Sequence, residues 1–148
     1  MTELAYAEDL NVGAVFPLGD YEVTLDEIKE FSDLWDPQPF HTDDSAAAAG
    51  YFGEPIASGI HSLAILQRLA VLGMFSGWSV LAGRRIREVS FEAPVRAGMV
   101  LTGTTVIKAL EHVSAERSLV TVAGTLRHQD NPVLNAVHEL YVWRRPSE

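Results

Sequence analysis

The chain has no cysteine. That excludes a disulfide framework, a thiolate nucleophile and any sulfur-ligated zinc or iron–sulfur centre, and it suits a reducing, cytoplasmic setting. Long uninterrupted apolar runs are missing too. No stretch of about 18 apolar residues lacks a charge or polar break, so a membrane span is not expected. The first ten residues carry Glu3, Glu8 and Asp9 and no base, so neither a signal peptide nor a transit sequence is expected there. Basic residues are scarce in the first third of the chain. Residues 1–55 hold 13 acids against Lys29 alone, a balance of −12. Residues 56–148 hold 10 bases and 7 acids, a balance of +3, and together these give the net −9. Most of such a surface repels nucleic acid.

At 148 residues the chain suits a single domain, 1–148, with one core. An opening strand is expected over 10–23. Thr24 then reads as an N-cap, with Glu27 as the second half of a capping box. The apolar set Leu25, Ile28, Phe31, Leu34 and Trp35 has helical spacing, and Pro37 ends that helix at Trp35 or Asp36. Asp43 or Asp44 can cap a short helix over 45–49, closed by Gly50. The longest helical pattern runs from Ala57 to about Phe75. It is apolar on most sides, with a narrow polar strip of Ser58, His61, Ser62 and Arg68. Gln67 interrupts the apolar face, so its amide either bonds backbone in the core or lines a site. Arg85–Val95, Met99–Lys108, Arg117–His128 and Val133–Arg144 read as strands joined by short turns, which predicts an antiparallel sheet and an α+β fold.

The segment Asp36-Pro37-Gln38-Pro39-Phe40-His41 places a carboxylate and an imidazole five residues apart. Its two prolines predict a stiff bent loop, because each fixes its own φ and restricts the residue before it. Such a loop can hold a general base and a general acid at a set separation. The same residues also fit a proline-rich turn in which Asp36 caps the helix and His41 is a surface group. His41, Asp43, Asp44 and His61 match no metal-ligand spacing, and no metal is expected. Ser58-Gly59 is not a nucleophile elbow. His61, His112, His128 and His138 are expected on surfaces or interfaces. His138 shares a strand face with Leu134, Leu140 and Val142, which favours a buried, satisfied ring.

In order, the chain has Asp36-Pro37-Gln38-Pro39-Phe40-His41, then Phe52-Gly53, Ile56-Ala57-Ser58-Gly59 and Ala93-Pro94-Val95-Arg96-Ala97-Gly98. This succession resembles the MaoC-like dehydratase family, hot-dog proteins that include (R)-specific enoyl-CoA hydratases. The resemblance implies an antiparallel sheet wrapped around a long central helix, and a hydratase or dehydratase acting on an acyl-CoA thioester. It implies that Asp36 is the anchoring carboxylate base and His41 its acid–base partner. The Gly59 amide, in the first turn of the central helix, would hold the thioester oxygen. Substrate contacts are expected from Gln38, Phe52, Ser58 and Gln67, where Gln38 and Ser58 replace the family's usual asparagine and histidine. The cationic run Arg84, Arg85, Arg87 and Arg96 is the candidate for the CoA phosphates. CoA enters as part of the substrate, and no separate cofactor is implied. The resemblance further implies a homodimer or higher homo-oligomer. Two alternatives are a hot-dog thioesterase and a non-catalytic acyl-thioester-binding or partner subunit.

Overall fold

Strand-forming Val, Thr, Leu and Ile dominate the last third of the chain, and they build three long consecutive strands. In a computed structural model, which describes residues 3–147, these are β3 (Val100–His112), β4 (Arg117–His128) and β5 (Asn131–Trp143). Two earlier strands flank this meander, β1 (Val15–Glu22) on β3 and β2 (Val80–Phe91) on β5. The sheet order is β1-β3-β4-β5-β2, antiparallel throughout. β2 begins five residues before the predicted start, at Val80 rather than Arg85. The last hairpin is tighter than expected: Gln129 adopts a left-handed φ of 56°, and β5 already starts at Asn131.

The long helix α4 (Gly59–Gly73) lies along the sheet. Ile65, Leu66, Leu69 and Ala70 face inward and join Leu101, Ile107, Val120, Leu126 and Leu134 in one core. Helix and sheet approach closely because β4 has a glycine under Leu66. A Cβ on Gly124 would stand 3.1 Å from Leu66 Cδ2. By length and apolarity alone 59–77 could cross a membrane, but this inward face is taken up by the sheet. The result is the predicted α+β hot-dog arrangement.

Ahead of α4 come α1 (Leu25–Trp35), the single turn α2 (Pro39–Thr42) and α3 (Asp44–Ala49). Thr24 caps α1 by accepting the Glu27 N–H at 3.3 Å. The reciprocal half of the box does not form, because the Glu27 carboxylate is engaged elsewhere: its Oε1 accepts from Tyr21 Oη at 2.7 Å and from His61 Nε2 at 2.8 Å. Two predicted faces are turned around. On α1, Ile28 and Ser32 are buried, whereas Leu34 and Trp35 are 75% and 70% exposed. On α4 the polar strip, apart from the exposed Arg68, points inward. Ser58, His61 and Ser62 are buried while Ile60, Val71 and Leu72 are exposed. The strip faces α1 and the segment after it, where Ser58 bonds Asp36 and His61 Nε2 bonds Glu27, while His61 Nδ1 is left without a partner among the described residues.

The uneven charge is partly closed by the fold. Near the carboxyl end, Arg145 pairs with Asp9 at 2.6 Å and Arg144 with Glu8 at 3.3 Å.

Candidate active site

α1 ends because Pro37 cannot continue it, and Asp36 becomes its C-cap. The next residues are not wholly loop as expected. Pro39 takes the first position of α2, where its missing N–H costs nothing, and His41 rides on that turn. The turn buries His41, which points inward to meet Asp36: His41 Nε2 lies 3.3 Å from Asp36 Oδ2.

Both partners are held from behind. His41 Nδ1 is 2.6 Å from the Ile56 carbonyl oxygen, an acceptor only, so Nδ1 carries the proton. Nε2 is therefore the position free to take up or release a proton. That carbonyl is itself fixed, since the Ala57 N–H donates to the Val95 carbonyl at 2.8 Å. Asp36 Oδ2 accepts the Ser58 hydroxyl at 2.7 Å, and Oδ1 accepts the Gln38 side-chain amide at 2.7 Å. The Ser58 hydrogen bond, then that of Gln38, hold the Asp36 carboxyl below the usual carboxylate range. Desolvation opposes them, and the neighbouring His41 adds a smaller lowering. Asp36 is thus an anion at neutral pH.

Ser58 has a second task as the N-cap of α4, where its oxygen accepts the Ile60 N–H at 3.2 Å. The Gly59 N–H makes no hydrogen bond among the described residues. It is one of the unpaired amides at the positive end of the helix. Asp36, His41 and Gly59 line one cavity of about 400 Å³ with Gln38, Phe52 and Ser62. An ionised carboxylate, an imidazole with a free ring nitrogen and a free backbone donor around one cavity can add water to a polarised double bond or remove it.

The other predicted contacts divide. Gln38 and Phe52 line this cavity, and Ser58 is fully buried behind Asp36, acting on the carboxylate. Gln67 is not buried. It is exposed and lines a different cavity of about 580 Å³, with Arg84, Arg85 and Glu139. There the arginines converge on the buried Glu139 carboxylate: Arg84 at 2.8 Å, Arg87 at 3.5 Å and Arg85 at 3.9 Å. Arg96 stands apart from them, pairing with Glu54 at 3.0 Å and donating to the Phe52 carbonyl at 2.9 Å. It lines a cavity that shares Glu92, Ala93, Pro94 and Val133 with the Asp36 cavity. Ser62 and Phe91 are among the residues lining the Asp36 cavity that went unassigned in the sequence. Ser62 could have been found from its i, i+4 spacing to Ser58 on one helix face. Phe91 gave no such signal. His138 is half-buried, but its Nε2 has no partner among the described residues, and burial pushes its pKa down. No three His, Asp or Glu side chains among the described residues are grouped as metal ligands.

Residues 13–129 match the family model described as MaoC like domain. The uncharacterised protein YdeM of Bacillus subtilis is 35% identical over 88 residues, 60% of this chain and 62% of that protein. The chain therefore spans less than two thirds of that relative. The 3-hydroxyacyl-thioester dehydratase Z of Mycobacterium tuberculosis is 32% identical over 106 residues, 70% of each chain. The crystal structure of a MaoC-like dehydratase from Rhodospirillum rubrum superposes with a TM-score of 0.86 at 33% identity, covering 97% of this chain and 99% of that one.

Proposed function

Because the chain belongs to the MaoC-like domain family, we propose that it is an (R)-specific enoyl-CoA hydratase-like lyase, interconverting an enoyl-CoA and a 3-hydroxyacyl-CoA. The observation that carries this reading is the Asp36–His41 pair, 3.3 Å apart and tied from behind on both sides, in one cavity with the unpaired Gly59 amide. In hydration, a water bound between Asp36 Oδ2 and His41 Nε2 attacks the β-carbon. His41 Nε2 takes its proton, becoming imidazolium, and gives a proton back to the α-carbon, so the pair ends as it began. Negative charge gathers on the thioester oxygen, where the Gly59 N–H meets it. Dehydration runs the same steps backwards. The ionised Asp36 holds the water and stabilises the imidazolium that forms, while the Nδ1–H bond to Ile56 keeps the ring in the tautomer that leaves Nε2 free.

A second copy is part of the proposal. β2 is an edge strand, and the surface beside it exposes Ile60, Val71, Val80 and Ile86. Such an edge and patch favour a homodimer. Light scattering on the purified protein checks this, and a monomer at micromolar concentration refutes it. For the CoA phosphates, Arg96 is better placed than Arg84 or Arg85, since its cavity adjoins that of Asp36.

Incubation with crotonyl-CoA tests the chemistry. Loss of enoyl absorbance with the thioester intact is the expected result. Release of free thiol would mean hydrolysis, and binding without change would mean an acyl-thioester carrier.

A further inference from the structure

Phe91 is out of keeping with its neighbours. It ends β2, is 59% exposed and lies outside the buried core. Its ring nevertheless lies against the first residue of α4. A Cβ built on Gly59 would meet Phe91 Cε1, Cζ and Cδ1 at 2.5, 2.6 and 2.9 Å. Three ring carbons at such range mean that the ring covers the Gly59 α-carbon rather than grazing it. No side chain fits there while the ring stays, so Gly59 serves the ring as well as any ligand oxygen.

The strand is bent to bring this about. Glu88 adopts a left-handed φ of 55°, and the pairing of β2 with β5 slips between Arg87 and Ser90. Irregularities of this kind re-aim the end of a strand. Past the ring the backbone is fixed again by the Glu92 N–H donating to the Val133 carbonyl at 2.9 Å, and the side chains on either side of the ring are joined where the Ser90 hydroxyl donates to the Glu92 carboxylate at 2.6 Å. A rigid backbone therefore presents a largely solvated aromatic ring to the cavity that holds Asp36 and His41.

A thioester whose oxygen reaches the Gly59 amide has its α-carbon and its sulfur two bonds from that oxygen, and with the acyl chain directed along the Phe91 wall of the cavity the α-carbon comes beside the ring. We propose that Phe91 is the residue by which this site excludes acyl thioesters branched at the α-carbon. The inference rests on the thioester reading of the cavity. The ring fills the space an α-methyl group needs, and a straight chain passes beside it.

Butyryl-CoA and isobutyryl-CoA test this without catalysis. They have the same number of carbons and differ in whether the α-carbon is branched. By titration calorimetry the wild type is expected to bind the straight isomer about tenfold or more tightly, the scale of one misplaced methyl group. Phe91→Ala should bring the two within about twofold, chiefly by gaining affinity for isobutyryl-CoA, and Phe91→Leu should fall between. Far-UV circular dichroism should show both variants folded, since the ring lies outside the core. A wild-type ratio near one, an unchanged ratio in Phe91→Ala, or no binding of either ester overturns the proposal. Crotonyl-CoA separates it from the hydratase reading. If crotonyl-CoA is not hydrated but the binding ratio shifts as expected, the hydratase reading fails and the role of Phe91 stands. If it is hydrated and the ratio does not shift, only the role of Phe91 fails.

Discussion

Ser58→Ala removes two interactions with one atom. The hydroxyl donates to Asp36 Oδ2 at 2.7 Å and accepts the Ile60 N–H at 3.2 Å, on a residue with no exposed surface. Loss of an N-cap costs about 1 kcal/mol, and loss of a hydrogen bond to a charged acceptor costs about 1.5–3 kcal/mol. The Asp36 side chain is 22% exposed, so water recovers part of the second term. The sum is about 2–3 kcal/mol, or a fall in Tm of roughly 4–12 °C for a domain of this size. The effect on ionisation is separate and has a definite sign. Ser58 is the foremost cause of the lowered Asp36 pKa, so its loss moves that pKa up towards the ordinary value of about 3.9. A depressed carboxylate contributes stability that is present above its unfolded pKa and lost as pH falls through the folded one. Ser58→Ala should therefore show less acid-dependent loss of stability below about pH 4. The acid limb of its kcat/KM profile should move to higher pH. Crotonyl-CoA hydration followed between about pH 3 and 7, with melts at the same pH values, gives both numbers. A lowered Tm with an unmoved acid limb would reduce Ser58 to a helix cap and refute its hold on Asp36.

Asp36→Asn and His41→Ala should each lower kcat for hydration by about 10²–10⁴-fold with the fold retained, and the double variant should be little worse than the poorer single. Full activity in both singles would remove the pair from the mechanism. His138 is held neutral by burial, so its contribution to stability is complete above the unfolded pKa of about 6.5 and declines as pH falls towards the lowered folded value. His138→Leu should flatten the loss of Tm on acidification from about pH 8 to 5, and an unaltered slope would contradict this reading. Glu139 is 6% exposed beneath Arg84, Arg85 and Arg87. Glu139→Gln leaves three cations facing one another and should cost on the order of 2–3 kcal/mol in urea unfolding. That is below the value for a fully buried pair because the arginines reach water. A midpoint unchanged from wild type would show that those arginines are satisfied without it.

Strand content, the ends of α1 and the start of α3 were legible because β-branched runs, Thr24, Asp43 and Pro37 act locally, and the structure places each where its own chemistry puts it. Facing was harder. Ser58, His61 and Ser62 look like a solvated strip, since nothing in the sequence of α4 tells that α1 supplies Glu27 and that Asp36 lies within reach of Ser58. Gln67 looked buried for the converse reason. The apolar residues around it include Ile60 and Val71, which the sheet leaves uncovered. The arginines of β2 could be counted but not aimed. Their target, Glu139, is about fifty residues away on the paired strand, and only the register of β2 on β5 brings it beneath them. The contact of Phe91 with Gly59 was the least legible of all, because it depends on a strand irregularity at Glu88.

That same dependence on helix placement explains how the site keeps its spacing. Asp36 sits at the carbonyl end of α1, where the helix dipole disfavours a carboxylate. Ser58 and Gln38 offset this with direct donors, and Ser58 belongs to the opposite, favourable end of α4. The two helix ends are therefore joined through the Asp36 carboxylate itself. One such link would act as a hinge, but there is a second. Glu27 of α1 accepts from His61 of α4 at 2.8 Å, and Phe31 of α1 stacks on the same ring at a centroid distance of 4.5 Å. Two separated links between two rigid helices resist rotation about either one. The separation of Asp36 from the Gly59 amide is thus set by the packing of α1 on α4, and the prolines between Asp36 and His41 need only deliver the imidazole to a carboxylate already in place.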